Sequence, residues 1–258
     1  SDWWNGEVWW AVSSDWGGTW SVYSSPIFYG LYHRGHAAHG ACPEGFAGIS
    51  MTTTQEGTNT WIHIYGSYHH PDRERRTGDS GTSAIHVRFL YDRNHPFGFS
   101  STAQLYYNGN FISHSGKYVW GYDTGAPYGT DPKLDPNLAA APWSPPGYFF
   151  TYSVTKAGST GPYYMIVDKW RGAGEPLYYV TSCDAIHWSG VKTIDTTAVS
   201  NLYPNKILVN NALWYGTLSG TTAMWGFLSL GQFCGSDVYN GSRILPVKVA
   251  FNPQETCN

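Results

Sequence analysis

Charge is scarce in this chain. Only 13% of its 258 residues are Asp, Glu, Lys or Arg, and the formal net charge is −3. No basic field is available for a phosphate backbone, which excludes nucleic acid as a partner. Helix builders are thin as well. Trp, Tyr, Thr, Val and Ser outweigh Leu, Glu, Lys and Ala, and no segment keeps a helical period long enough for a helix. Apolar runs of bilayer length are missing, so no membrane partner is expected. The four cysteines, Cys42, Cys183, Cys234 and Cys257, are widely spaced without a C-x-x-C pair, which argues against a cysteine zinc site. They suit two disulfides in an exported protein, with three pairings open and Cys257 placed to staple the chain end. No leader peptide is visible, as expected of a mature secreted chain.

What the chain does hold is aromatic residues, at 17%, with 30 Gly and 15 Pro as turn formers. That balance predicts an all-β protein. Strand-like runs rich in aromatic and β-branched residues fall at 7–13, 19–24, 46–52, 60–67, 84–91, 97–106, 117–122, 148–154, 163–168, 177–182, 187–194, 207–215, 222–229 and 243–251. The Pro- and Ala-rich stretch 124–147 reads as a long ordered loop. Composition does not change along the chain, so residues 1–258 are expected to form a single domain. A weakly charged, aromatic surface suits sugars, whose pyranose faces stack on Trp and Tyr, although most such rings belong to the core.

One segment carries more information than the rest. Ser13-Ser14-Asp15-Trp16-Gly17-Gly18-Thr19-Trp20 follows an aromatic strand and has the form S-x-D-x-G-x-T-W. A short Asp side chain bonds the backbone of its own turn, and Gly supplies unusual dihedrals. A looser copy, Ser182-Cys183-Asp184-Ala185-Ile186-His187-Trp188, ends the strand beginning at Leu177. Asp15 and Asp184 are therefore expected to cap turns rather than to act in catalysis. Two copies in matching context indicate an internal repeat.

The repeated motif resembles the Asp-box of sialidase-like and related β-propellers. That resemblance implies blades of four antiparallel strands, with the box between the third and fourth strands and the binding site on the opposite face. One blade would comprise 148–154, 163–168, 177–182 and 187–194. Another would comprise 46–52, 60–67, 84–91 and 97–106, with Asp92 in the corresponding turn. The N-terminal pair would be an outer pair completed by C-terminal strands. At about 40–50 residues per blade, the length suits five blades, with four or six open.

This phasing gathers unusual chemistry into a few loops. Loop 25–45 holds His33, Arg34, His36, His39 and Glu44; loop 68–83 holds His69, His70, Asp72, Arg73, Glu74, Arg75, Arg76 and Asp79. Loop 168–176 holds Asp168, Lys169, Trp170, Arg171 and Glu175, and Asp195 and Asp237 fall in later loops. Glycoside hydrolysis needs an acid and a base or nucleophile, and Asp168 and Glu175 flank aromatic strands where a carboxylate is partly desolvated. The Glu175-Pro176 step is similar to the acid position of five-bladed furanosidases and xylosidases, whose early Asp-Pro has no counterpart here. A true sialidase needs three separated Arg converging on one carboxylate, with Tyr and Glu; the chain is short for that family, and the motif near its first Arg is missing here. For any one of these acids the alternative is a solvated loop charge.

The expected activity is cleavage of a polysaccharide glycosidic bond by these paired carboxylates, in a secreted monomer. His33, His36, His69, His70, Arg73, Arg76, Asp79, Trp170 and Arg171 are candidate substrate contacts. One alternative is β-elimination on an acidic polysaccharide by His63 and Tyr65, which share a strand face. Arg73, Arg75 and Arg76 would then neutralise a uronate carboxylate or a sulfate, unless they form a salt-bridged loop with Asp72, Glu74 and Asp79. Another is a propeller lectin that binds without cleaving. A lectin should repeat its pockets, whereas loops 68–83 and 168–176 differ in length and charge. No cofactor is required; a structural Ca or Zn stays open, with His33, His36 and His39 the candidate ligands, though their spacing matches no strong zinc signature.

Overall fold

The computed structural model describes residues 8–24, 27, 45–69, 82–107, 110–114, 152–157, 160–167, 177–195, 197, 207–208, 216–217, 223–231, 243–250 and 257. The protein is all-β, and its sheets are antiparallel. Two compact units are distinguished: Ser1–Ala47 with Thr53–Leu134, and Gly48–Thr52 with Asp135–Asn258.

A five-stranded sheet has the order β3-β4-β5-β6-β7, a meander in which sequence neighbours pair, and all of it but Gly48–Thr52 belongs to the first unit. The strands are β3 Gly45–Glu56, β4 Asn59–His69, β5 Thr82–Tyr91, β6 Phe99–Tyr107 and β7 Asn110–His114. Four of these lie where the aromatic runs predict them. The fifth, β7, was not anticipated, although Asn108-Gly109 between β6 and β7 is the dipeptide most favoured in two-residue hairpin loops.

Alternation along the strands gives this sheet two different faces. Ile62 pairs with Phe89, Ile64 with Val87, Val87 with Leu105 and Phe89 with Ala103, so apolar residues meet on one face. With Phe99, Val8 and Ile27 they form a continuous core. Each large side chain gains about 1.5–3 kcal/mol by leaving water. The N-terminal hairpin, β1 Ala11–Val12 and β2 Ser21–Val22, lays Trp10 and Tyr23 against this core. Trp10 Nε1 donates to Phe97 O at 3.0 Å, and Trp10 and Tyr23 pack edge-on against Phe99 at 5.3 and 5.4 Å. Among the described residues β1 pairs with β2 alone.

The second unit contains a four-stranded meander in the order β11-β10-β9-β8. Its strands are β8 Tyr152–Lys156, β9 Tyr163–Val167, β10 Leu177–Ser182 and β11 Lys192–Ile194. Met165, Ile166 and Val180 are fully or almost fully buried. The expected strand 187–194 shortens to Lys192–Ile194 because the residues before it are spent in the Asp184 turn. A further sheet joins β12 Ile207–Leu208, β13 Gly216–Thr217, β14 Ala223–Gly231 and β15 Arg243–Ala250, with β14 central. Expected strand 117–122 and loop 124–147 lie outside the described residues.

Candidate functional site

Both Asp motifs form capped turns, alike in their Ser–Asp contacts, with the closing residue four positions after Asp15 and three after Asp184. Ser13 Oγ donates to Asp15 Oδ1 at 2.8 Å, and Ser182 Oγ donates to Asp184 Oδ1 at 2.9 Å. Each serine oxygen then accepts the N–H of its own Asp at 3.3 Å. Thr19 closes the first turn twice, N–H to Asp15 Oδ1 and Oγ1 to Asp15 Oδ2, both at 2.8 Å. His187 plays that part in the second, N–H to Asp184 Oδ1 at 2.8 Å and Nδ1 to Oδ2 at 2.7 Å. The residue after each Asp is left-handed, Trp16 at φ 58° and Ala185 at φ 61°. Bonds from Thr19 and Ser13 hold the Asp15 carboxyl down at about 2. Burial works against the charge of Asp184, but bonds from His187, Ile186 and Ser182 outweigh it and lower its pKa. Both carboxylates are consumed by their turns, as their position in the motif leads one to expect.

The turns also say which sheet ends remain for chemistry. In the second unit, Leu177 pairs with Ile194 and Tyr178 with Val167. The β9–β10 connection, 168–176, therefore joins the sheet at the end opposite the Asp184 turn, and Asp195 follows Ile194 at that same end. Asp195 Oδ1 accepts the Thr197 N–H at 2.9 Å, and the Thr197 bonds lower its pKa. In the first unit β4 ends at His69 and β5 begins at Thr82, at the sheet end opposite the β5–β6 turn. There Asp92 Oδ1 accepts the Asn94 N–H at 2.9 Å, and Gly98 N–H donates to His95 O at 2.9 Å.

The second face of the five-stranded sheet is a buried polar layer. Tyr65 pairs with His86 and His63 with Arg88, which brings two imidazoles side by side. His63 Nδ1 lies 2.7 Å from His86 Nε2, and His63 Nε2 lies 2.8 Å from Thr54 Oγ1. His63, Tyr65 and His86 are fully buried. Tyr65 stacks on His86 with ring centroids 4.4 Å apart and lies 6.3 Å from His63. Two chains of donors satisfy the contacts, one starting at the Thr54 hydroxyl and one ending there; in both the imidazoles are neutral. Burial first, and then repulsion from His63 whenever it takes a proton and from Arg88, hold His86 well below the ordinary 6.5. A His with a depressed folded pKa favours the fold above 6.5; that preference is lost as pH falls and the unfolded chain takes up the proton alone. His86 Nδ1 is buried with no hydrogen-bond partner among the described residues.

Next to this pair, Arg88 lies between two rings, 3.9 Å from Trp61 and 3.8 Å from Phe111. Its guanidinium bonds Glu56 Oε1 and Gln104 Oε1, each at 2.8 Å. Desolvation lowers the Arg88 pKa, and Glu56 partly restores it. His86, Arg88, Thr54 and Glu56 escaped the sequence reading. The alternation His86-x-Arg88 was a local signal, but only the register of β4 against β5 shows that it meets His63 and Tyr65.

Of the expected site residues, His63 and Tyr65 thus share one face, as alternation predicts, and neither reaches solvent. His69 ends β4, paired with Thr82. Asp168, Glu175, Trp170, Arg171, His33, His36, His39, His70, Arg73, Arg76 and Asp79 lie outside the described residues. Among the described residues no three His, Cys, Asp or Glu side chains converge to hold a metal. Cys183 and Cys257 form a disulfide across 74 residues, with Cα atoms 5.4 Å apart. Cys42 and Cys234 lie outside the described residues.

No family model matches this chain, and a search of curated proteins also finds no match. Among solved structures, it is similar to an exo-β-1,3-galactanase from Phanerochaete chrysosporium crystallised with β-1,3-galactotriose. The identity is 12% and the TM-score 0.34, over 95% of this chain and 55% of that one. The chain thus spans about half the length of that galactanase. Agreement at that level fixes neither fold nor activity.

Proposed function

We propose that the chain is a secreted β-propeller that cleaves a polysaccharide glycosidic bond, with Asp168 and Glu175 as acid and base or nucleophile. The observation that carries this reading is the repeated Asp-capped turn. Asp15 and Asp184 share a hydrogen-bond scheme and a left-handed following residue, and Asp184 stands between the third and fourth strands of a meander. That is where the box sits in the propellers this motif resembles. By that pattern the reacting groups belong to the opposite sheet end, where connection 168–176 and Asp195 fall. A single domain of about five blades, two such meanders among them, is part of the same proposal. The Cys183–Cys257 disulfide supports an oxidising, extracellular setting.

In this reading the reaction belongs to carboxylates, and His63 and Tyr65 hold the sheet together, because neither side chain is open to solvent. Neutral, uronic-acid and sulfated polysaccharides are the panel that tests it, with reducing ends and the ultraviolet absorbance of unsaturated sugars followed together. Hydrolysis gives reducing ends without absorbance, and Asp168→Asn or Glu175→Gln abolishes it while leaving thermal unfolding unchanged. Both signals together would transfer the reaction to elimination. Retention on a glycan column with no turnover would make the chain a lectin.

A further inference from the structure

We propose that the outward face of the β1–β2 hairpin, carried by Trp9, Trp16 and Trp20, docks a strand of neutral polysaccharide. The ligand class rests on the carbohydrate reading above; the surface itself does not. Ala11 pairs with Val22 and Val12 with Ser21, so alternation assigns the side chains to faces. Trp10 and Tyr23 turn inward to the core. Trp9, Ala11, Val22 and Trp20 turn outward, and Trp9, Val22 and Trp20 are 50%, 59% and 62% exposed. Trp16 stands at the tip, fully exposed. From Trp9 to Ser13, the position opposite Trp20, the strand runs ~13 Å, long enough for more than one sugar ring. Three exposed indoles on one short hairpin exceed the single scattered apolar residues a surface ordinarily carries.

Trp16 is the residue with no structural reason to be where it is. It takes a left-handed backbone that disfavours a bulky side chain, and its ring gains nothing by burial. The equivalent residue of the other turn is a fully buried alanine, Ala185, with the same φ. The Asp turn therefore does not demand a tryptophan. The turn is also stiff. Gly17 N–H donates to Ser13 Oγ at 2.7 Å, and Trp20 Nε1 donates to Gly17 O at 3.2 Å, so little order is lost when a ligand settles on it.

Charge selects the occupant. The described hairpin, residues 8–24, holds Asp15 and no Lys or Arg. Anionic bilayers and acidic polymers are disfavoured by that balance. Indole faces beside the exposed Ser14 offer stacking together with hydroxyl partners, which is the chemistry of an uncharged sugar chain.

Native affinity electrophoresis tests this, in gels containing soluble β-glucan, galactan or xylan, with polygalacturonate as the charged control. Wild-type protein is expected to be retarded by at least one neutral polymer. The dissociation constant should rise about tenfold or more in Trp16→Gly/Trp20→Ala, with the melting temperature unchanged or raised. Equal retardation of wild type and variant overturns the proposal, as does retardation by no neutral polymer. Capture by phosphatidylcholine vesicles, or self-association in the ultracentrifuge, overturns it too if either is lost in the same variant. Turnover of short soluble oligosaccharides separates the two readings. Turnover without Trp-dependent retardation sinks the docking site alone, and Trp-dependent retardation without turnover on any substrate sinks the hydrolase alone.

Discussion

The Asp15 and Asp184 turns use one hydrogen-bond plan and put it to opposite ends. In the second, Trp188 is 2% exposed, Ala185 is fully buried, and Cys183 is bonded to Cys257. In the first, Trp16 and Trp20 stand in solvent, and among the described residues the turn's bonds are to itself. A capped turn is thus a local device whose stability comes from its own Ser, Asp and Thr or His. What it contributes to the molecule depends on what lies against it. One turn anchors a sheet and the chain end; the other presents rings.

The difference can be broken most directly at the tryptophans. Trp188→Ala should cost about 3–5 kcal/mol, because a buried indole leaves a cavity, whereas Trp20→Ala should stay within about 0.5 kcal/mol, as exposed residues do. Parallel urea unfolding of the two variants checks this; equal costs would mean that the turns are equivalent after all. Next in size is the tether. Replacing Cys183 and Cys257 together by Ser should remove about 2–5 kcal/mol through the freed chain entropy of the unfolded state, read as a lower melting temperature with no further effect of reductant.

Asp184→Ala should cost about 1–2 kcal/mol as a lost cap beside a partly buried turn. Asp15→Ala should cost less, since its turn is exposed; thermal melts of the pair give the order. Trp16→Gly should raise stability by about 1 kcal/mol, because glycine relieves the left-handed strain, while Ala185→Gly gains less, having a side chain that is buried. The smallest effect is on pH. Asp15 lies at about 2 in the fold against an ordinary 3.8, so the cap is complete above 3.8 and is lost as pH falls through 2. The Trp20 indole N–H resonance should report that midpoint, and Asp15→Asn should abolish the titration.

Much of the strand plan was legible in the sequence, since aromatic and β-branched runs with turn residues between them are local patterns. Strands β3 to β6 and β8 to β11 fall in or close to the expected segments, and the two Asp residues cap turns where the motif put them. β7 was missed although Asn108-Gly109 announced it. The contact of His63 with His86 was beyond reach, because a one-residue shift of β5 would turn His86 to the other face. The same limit applies to Arg88 between Trp61 and Phe111.

By itself the sequence determined the local chemistry: which segments extend, and where Asp and Gly bend the chain. Those outcomes depend on neighbours within a few residues. Only the tertiary structure decided that Trp188 is core and Trp20 surface, that Cys183 meets Cys257, and that two imidazoles share a dry face. Burial and register are set by what packs from afar, and a motif carries no information about that.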